Sequence, residues 1–539
     1  MNSKLLGLTL LSVSLLAACG RRSPDYSHIP DAAVITEGGV RVDSSAGEAS
    51  KLVPFLAGDS ASSDICDLVF NGLLRYSPKL ELEGDLAESW EVKDGGKTLI
   101  FKLRPGVKWH DGQPFTSADV KFTVESILNP KVASPRKSNF DLLDKIETPD
   151  ALTVIAHYKK AFSPALQYWS IGIAPKHLLE GKDVNTDPFN RMPIGTGPYR
   201  MKLWKDKQYI ELEANPDYWE GKVHIAKIRI RFIPESATQM LELKTGGIDG
   251  MTLQPEQYVH QSDGPAFEKI VRKYRFDGLA QYTYLGFNEA REPFGDKRVR
   301  QALSYAIDRQ ELITGVMEGL AKPCSGPYSP LMPAYNQAVK PFPYDMIKSA
   351  QLLDAAGWKL GKDGLRSKDG KVFKFSLLTN KGNAPREKTV LILQQQFKKL
   401  GVQADVQIIE WSSFLSNYVD KKNFDAIVMG WQLSLDPDQY SIWHSSQTKD
   451  GEFNFISYKN PQVDKLLERG REEFDPAKRL AIYRQFHALL AEDQPLAFLY
   501  APDSISALSR KFQGILETPT GMGWYWATRW YIPKSAQQN

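Results

Sequence analysis

The chain has 539 residues, 42% of them hydrophobic and 24% charged, which is typical of a globular protein and excludes a disordered or multi-span membrane chain. Lysine and arginine number 68 against 64 acidic residues, a formal net charge of +4, and no segment concentrates basic residues as a nucleic-acid site requires. The length predicts several domains.

Residues 1–18 are predicted to be a signal peptide, because Lys4 precedes an apolar stretch too short to remain in a bilayer as a helix. The sequence Leu-Ala-Ala-Cys that ends at Cys19 resembles the bacterial lipobox, which implies cleavage before Cys19 and lipid on that residue. Residues 19–34 are expected to form a lipidated tether. The other two cysteines, Cys66 and Cys324, either pair or remain as buried thiols.

Short β-branched and aromatic runs alternate with helical patterns downstream, which predicts a mixed α/β architecture. The predicted strands, in chain order, are Leu99–Leu103, Leu152–His157, Tyr209–Glu213, Lys227–Phe232, Phe373–Leu378, Gln403–Ile409 and Ala426–Met429. Three helices have clear signals: one begins at a capping-box pattern at Thr116, one spans Asp296–Arg309 with a single apolar face, and one spans Arg386–Leu400 and ends at Gly401.

Motifs for common enzymatic chemistry are absent from the sequence. We find no phosphate-binding loop, no nucleophile elbow and no zinc-protease motif, and the eight histidines include no pair at i, i+4. No metal or cofactor is therefore expected. Asp436 and Asp438 could act as paired carboxylates, so a hydrolase remains an alternative.

Three separated parts of the chain resemble one known family. They are Leu86–Val92 with Phe101–Val120, then Pro193–Tyr199, then Leu285–Asn288 with Val299–Arg309. In this order they are similar to the bacterial extracellular solute-binding proteins of family 5, the dipeptide- and oligopeptide-binding type of ABC importers. We interpret the glycines and prolines of these motifs as turn and packing scaffold, not as ligand contacts.

The resemblance implies a two-lobed periplasmic-binding-protein fold of type II with an extra subdomain in lobe I. The expected boundaries are 35–280 plus 500–539 for lobe I, about 76–192 for its inserted subdomain, 286–497 for lobe II, and about 281–286 and 497–500 for the hinge. The aromatic run 524–526 is expected to pack on lobe I.

The ligand site is expected near the loop after the strand Ala426–Met429, with Trp431, Asp436 and Tyr440 as candidates. In peptide binders a loop after a similar Gly-Trp carries an aspartate for the α-ammonium group, whereas here Ser434 or Leu435 stands at that place. Either Asp436 binds the amine through a shifted loop, or the protein does not require a free N-terminus. Capping of the turn before Pro437 is the structural alternative for Asp436.

The ligand's carboxylate needs a cation, for which Arg386 is the candidate, although a solvated arginine at a helix start is the simpler interpretation. Tyr328, Phe55 and Trp411 are candidate aromatic walls together with Trp431, and each could instead belong to a core.

These expectations describe a monomeric lipoprotein in the periplasm or at the cell surface that captures di- to oligopeptides and delivers them to an ABC permease with its ATPase subunits. The same fold could instead hold a nickel chelate or an oligosaccharide. A hydrolase, and a signalling or chaperone-like receptor without a transporter, are alternatives of other classes.

Overall fold

The computed structural model describes Tyr26 and residues 34–519, 521–522 and 528–537. The predicted signal peptide, the lipidation residue Cys19 and the aromatic run 524–526 lie outside the described residues, as does most of the predicted tether.

The described strands are labelled in chain order. They are β1 Val40–Ser45, β2 Leu74–Tyr76, β3 Leu82–Gly84, β4 Ala87–Lys93, β5 Thr98–Leu103, β6 Leu143–Asp150, β7 Thr153–Tyr158, β8 Tyr199–Lys205, β9 Tyr209–Ala214, β10 Lys227–Phe232, β11 Gly250–Thr252, β12 Val271–Phe276, β13 Gln281–Phe287, β14 Ala321–Pro323, β15 Lys359–Leu360, β16 Arg366–Lys368, β17 Lys371–Val372, β18 Lys374–Asn380, β19 Gln403–Ile409, β20 Ala426–Gln432, β21 Leu496–Pro502 and β22 Ser504–Ser509.

The α-helices are labelled in the same way. They are α1 Ser60–Val69, α2 Ser117–Leu128, α3 Ala165–Tyr168, α4 Lys176–Leu179, α5 Ser236–Lys244, α6 Pro265–Glu268, α7 Lys297–Tyr305, α8 Arg309–Gly315, α9 Met346–Ala355, α10 Ala384–Lys399, α11 Trp411–Ser413, α12 Tyr440–Trp443, α13 Pro461–Glu472 and α14 Pro476–Asp493. Short 3₁₀ turns span Asp94–Gly96, Lys137–Asn139, Pro188–Asn190 and Lys534–Ala536, and π-helical turns span Gln257–Gln261 and Phe414–Val419.

Each predicted strand coincides with a described strand to within three residues at either end, and two predicted helices are also confirmed. The backbone N–H of Thr116 donates to Asp119 at 2.9 Å, which completes the capping box of α2. The prediction of one helix over Asp296–Arg309 is wrong in its second half. The helix ends at Tyr305, and the Asp308 side chain accepts from Glu311 N–H to begin α8, because an aspartate stabilises a helix start better than a helix interior.

Lobe I is built on a seven-stranded sheet with the strand order β12-β22-β11-β1-β10-β9-β8. Strand β1 pairs parallel with β10 and with β11, and the remaining pairs are antiparallel. The carboxyl ends of β1, β10 and β11 therefore lie on one edge of lobe I.

Lobe II is built on a six-stranded sheet with the order β14-β21-β13-β20-β18-β19. Strand β18 pairs parallel with β19 and β20, so that these three strands also end together. Apolar side chains cover both faces of this sheet: Leu285 and Val428 belong to the core on one face, and Tyr284 and Ile427 to the core on the other. This sheet is thus sandwiched between two layers, as mixed α/β folds require.

A four-stranded antiparallel sheet with the order β4-β5-β7-β6, together with α2, α3 and the segments that connect them, forms a smaller unit that we call the subdomain. Its motif segment is tied to the Gly195–Gly197 turn, since His110 N–H donates to Gly195 O at 2.9 Å. A Cβ on Gly195 would lie 1.8 Å from the carbonyl oxygen of Val69. At Gly195 only glycine permits this backbone approach, which agrees with a packing role for that residue.

Within the described residues, the chain crosses between the two large sheets twice, at 277–280 and at Asp503. These crossings run side by side, because a Cβ on Gly278 would lie 2.0 Å from Pro502 O. The segments 281–286 and 497–500, where the hinge is expected from the sequence, are paired neighbours inside the lobe II sheet. The crossings come just before the first segment and just after the second.

The thiols of Cys66 and Cys324 are both buried and free. Cys66 belongs to the core shared by lobe I and the subdomain, whereas Cys324 belongs to the core of lobe II. A disulfide between them is therefore not formed.

Candidate ligand-binding site between the lobes

The carboxyl ends of the parallel strands in the two lobes face each other. Lys381, just beyond β18, pairs with Glu235, just beyond β10, at 2.8 Å. The ring of Trp411, which follows β19, lies against Gly47, where a Cβ would be 2.7 Å from the ring. Ligand sites of α/β folds form at such strand ends, so the space between the lobes is the candidate site.

Trp431 stands at the end of β20 in an aromatic wall of lobe II. Its ring lies parallel to Phe455 at 5.7 Å and edge-on to Phe453 at 5.5 Å. Phe453 reaches toward Gly58 of lobe I, where a Cβ would be 3.8 Å away. Trp431 and Trp411 remain partly exposed, so both can present ring surface to a guest.

Asp436 is not available to a ligand amine in this structure. Both of its carboxylate oxygens accept hydrogen bonds from Arg479, at 2.6 and 2.7 Å. The two side chains are only 15% and 11% exposed. The bidentate pairing neutralises the carboxylate, so the expectation that Asp436 binds an α-ammonium group is not supported.

Asp438 and Tyr440 are engaged in the same way. Arg471 Nε donates to Asp438 at 2.8 Å, and its guanidinium lies 3.8 Å from the centre of the Tyr440 ring. The other neighbour of that ring is His444, stacked at 4.0 Å. Tyr440 is therefore held between a cation and an imidazole.

Two predicted wall residues lie in the interior of the molecule. Phe55 and Tyr328 are both 0% exposed, and the Tyr328 hydroxyl donates to Pro437 O at 2.7 Å. We correct their assignment from ligand contact to core, because a fully buried side chain offers no surface to a guest. Tyr328 acts on the site only by holding the loop after Trp431.

Arg386 occupies a different environment from the other arginines of the cleft. Its Nη1 donates to Asn380 Oδ1 at 2.9 Å, and its guanidinium packs on Gly430, where a Cβ would lie 2.7 Å from Nη2. It forms no ion pair with any residue that the structure describes. Burial lowers the pKa of Arg386, as expected for a cation without an anionic partner.

Two acidic residues of α1, on lobe I, were not among the candidates from the sequence. Asp64 and Asp67 are accessible to solvent and make no hydrogen bond or ion pair within the described part of the chain. The surrounding protein raises the pKa of Asp64 to about 7, helped by Asp67, Asp59 and Asp43. Desolvation by the surrounding protein raises the pKa of Asp67 to about 6, although Arg136 opposes that shift.

Asp59, which caps α1, connects this pair to lobe II. Its negative charge raises the pKa of Asp64 on lobe I and also the pKa of Asp420 on lobe II. The combination of accessible surface and restricted hydration is typical of a cavity wall. No sequence signal distinguished these residues, because acids at i, i+3 are common on solvated helix faces.

Among the described residues, no three histidine, cysteine, aspartate or glutamate side chains converge as a metal site, and no helix is long and apolar enough to cross a membrane. A surface pocket of about 430 Å³ lies beside β12 of lobe I and contains none of the candidate residues.

Comparison with known proteins identifies the family. Residues 81–452 match the bacterial extracellular solute-binding proteins, family 5. This chain is a family 5 solute-binding protein. The two-lobed fold expected from the resemblance is thereby confirmed.

This solute-binding protein is similar along its whole length to characterised relatives. It is 36% identical to the oligopeptide-binding protein AppA of Bacillus subtilis, over 98% of each chain. The AppA structure in complex with a nonapeptide superposes with a TM-score of 0.88 at 35% identity, over 93% of this chain and 100% of AppA. The structure of NikZ of Campylobacter jejuni in complex with Ni(L-His) superposes with a TM-score of 0.82 at 31% identity, over 93% of this chain and 100% of NikZ. The structure of DppA of Helicobacter pylori in complex with the peptide STSA superposes with a TM-score of 0.83 at 26% identity, over 93% of this chain and 99% of DppA.

Proposed function

We propose that this family 5 solute-binding protein captures di- to oligopeptides between its lobes and delivers them to the permease of an ABC importer. The observation that carries the proposal is the opposite placement of unpaired charges across the cleft. Asp64 and Asp67 stand on lobe I, and Arg386 stands on lobe II. A zwitterionic ligand complements this arrangement, because its two ends need opposite partners.

In this proposal Arg386 binds the ligand's carboxylate, and the α1 aspartates bind its amine or a basic side chain. Trp431 and Trp411 supply apolar ring surface that accepts varied side chains. The peptide backbone would pair with groups at the strand ends, which recognises features common to all peptides. The peptide complexes of AppA and DppA support this choice of ligand.

The proposal also covers anchoring and transport. Lipid on Cys19 would hold the protein at the membrane, facing the periplasm or the cell exterior. The chain would act as a monomer and pass its closed complex to transmembrane subunits driven by ATPase subunits. No covalent chemistry is assigned to it. The hydrolase alternative loses its residues, because Asp436 and Asp438 are held by Arg479 and Arg471 and are not free for acid–base exchange.

A nickel chelate is the second candidate, because NikZ is similar in sequence and fold and was solved with Ni(L-His). Native mass spectrometry of protein purified without refolding separates the two. A series of peptide masses supports the proposal, whereas a nickel complex or a sugar overturns it.

Two biological tests complete the assignment. Incubation with peptides should give no cleavage products, and cleavage would revive the hydrolase alternative. Deletion of the gene should abolish peptide uptake. Unchanged uptake would favour a signalling or chaperone-like receptor.

A further inference from the structure

A buried ion pair of lobe II lies directly under the subdomain. Asp438, in the loop after β20, and Arg471, near the end of α13, are joined at 2.8 Å, and their side chains are 1% and 4% exposed. Both residues belong to lobe II, so the pair itself can persist when the lobes separate. What covers it comes from the other lobe.

Three polar groups of the subdomain bind these two residues, two of them through the charged side chains and one through the backbone of Arg471. The Tyr168 hydroxyl donates to Asp438 Oδ2. Arg471 Nη1 donates to the carbonyl oxygen of Ser138 at 3.0 Å, and the backbone N–H of Ser163 donates to Arg471 O at 2.8 Å. Each of these bonds joins one lobe to the other, and all of them must break when the cleft opens.

The contact continues along the same seam. Gln167, beside Tyr168, donates to the Ser434 hydroxyl and accepts from the Tyr76 hydroxyl at 2.9 Å. At the solvent edge, Lys160 pairs with Glu472 at 2.8 Å. The central bonds are buried and involve charged groups, which makes them stronger than the exposed pair at the rim.

We propose that Tyr168, Ser138 and Ser163 on the subdomain, with the Asp438–Arg471 pair on lobe II, form a latch that holds the lobes closed and sets how long a solute stays enclosed. The ion pair is assembled within lobe II, so closure of the lobes only brings uncharged groups of the subdomain into contact with residues that are already in place. In the low-dielectric interface such bonds are strengthened. The latch does not touch the ligand and does not depend on the solute being a peptide.

The latch forms only after closure, so it acts on solute release and not on capture. Tyr168→Phe removes one hydroxyl and keeps the ring. Loss of a hydrogen bond to a charged group predicts dissociation that is faster by about 10-fold, with an association rate unchanged within about 2-fold. The matched control is Tyr344→Phe, since Tyr344 is 44% exposed.

Three measurements on the full chain test the latch. Stopped-flow tryptophan fluorescence gives the rates with a synthetic nonapeptide as the probe. Small-angle scattering without ligand should show a larger radius of gyration for Tyr168→Phe than for the wild type. Hydrogen exchange should be faster at the Ser163 amide, whose partner lies across the cleft, and unchanged at the amides of β13 and β20.

The two ligand-free measurements decide the question even if the nonapeptide does not bind. Unchanged scattering and an unchanged Ser163 amide in Tyr168→Phe would overturn the latch. Faster exchange in β13 and β20 as well would also overturn it, because that result means general destabilisation and not release of the lobes.

Discussion

Arg479 donates to both carboxylate oxygens of Asp436, and this pairing engages the carboxylate that the sequence assigned to the ligand's amine. Asp64 and Asp67, on the opposite lobe, are acids without an ion-pair partner among the described residues. Recognition of a cationic group would therefore take place on lobe I.

Asp436→Ala should act on stability and not on ligand binding. It leaves the Arg479 charge without a partner in a largely buried position, which costs about 3 kcal/mol of unfolding free energy. Guanidinium denaturation measures this loss. Lys160→Ala, which breaks an exposed pair, is the control and should cost less than about 1 kcal/mol. Weaker peptide binding with unchanged stability would instead assign Asp436 to the ligand.

Arg386→Met should weaken ligand binding without lowering the stability of the protein. The Arg386 cation has no carboxylate partner among the described residues, so its removal should leave the unfolding free energy unchanged or higher. A peptide with a free carboxylate should bind about 30-fold more weakly, corresponding to about 2 kcal/mol, and its C-terminal amide should be unaffected. Calorimetry compares the two ligands. Lys381→Met is the control, because Lys381 is exposed and pairs with Glu235.

The double variant Asp64→Asn with Asp67→Asn should lose affinity for a peptide with a free amine at pH 8. With pKa values of about 7 and about 6, the wild-type carboxyls are charged at pH 8 and largely neutral at pH 5. The wild type and the variant should therefore bind alike at pH 5. Isothermal titration at both pH values, with the N-acetylated peptide as the second ligand, measures the difference.

The control for that pair is Glu125→Gln, an exposed change on α2. Equal affinity of wild type and double variant at pH 8 would contradict the assignment.

The same raised pKa values of Asp64 and Asp67 predict an effect on the stability of the protein. The folded state binds these protons more tightly than the unfolded state, so this contribution is present at low pH and disappears as the pH rises through 6 to 7. The melting temperature of the double variant minus that of the wild type should therefore increase from pH 4 to pH 8.

His487 should make the protein less stable in mild acid. Its side chain is 0% exposed, its Nδ1 accepts from Asn336 N–H at 3.0 Å, and burial lowers its pKa to about 4. Between pH 6.5, about the pKa of histidine in the unfolded chain, and pH 4, only the unfolded chain takes up this proton. The free energy of unfolding therefore decreases by up to about 3 kcal/mol as the pH is lowered over this interval. The free energy that separates His487→Gln from wild type should shrink over that interval, and a constant difference would contradict the assignment.

The sequence alone predicted the elements whose cause is local. The strand Lys227–Phe232 and the capping box at Thr116 follow from side-chain alternation and from groups within a few residues. The family motifs were recognised for the same reason, since the turns at Gly106 and Gly112 need glycine whatever lies elsewhere in the chain. The break after Tyr305 was missed, because one apolar face continues through both helices.

The charges of the site depended on tertiary structure. Nothing near Asp436 in the sequence indicates that Arg479, which lies 43 residues later on α14, would neutralise it, and nothing near Arg386 indicates that it would remain unpaired. Coulomb and hydrogen-bond energies depend on distance in space and on hydration. The amino-acid order therefore determined which charges this protein carries, and the packing of the two lobes decided which of them are still free to meet a ligand.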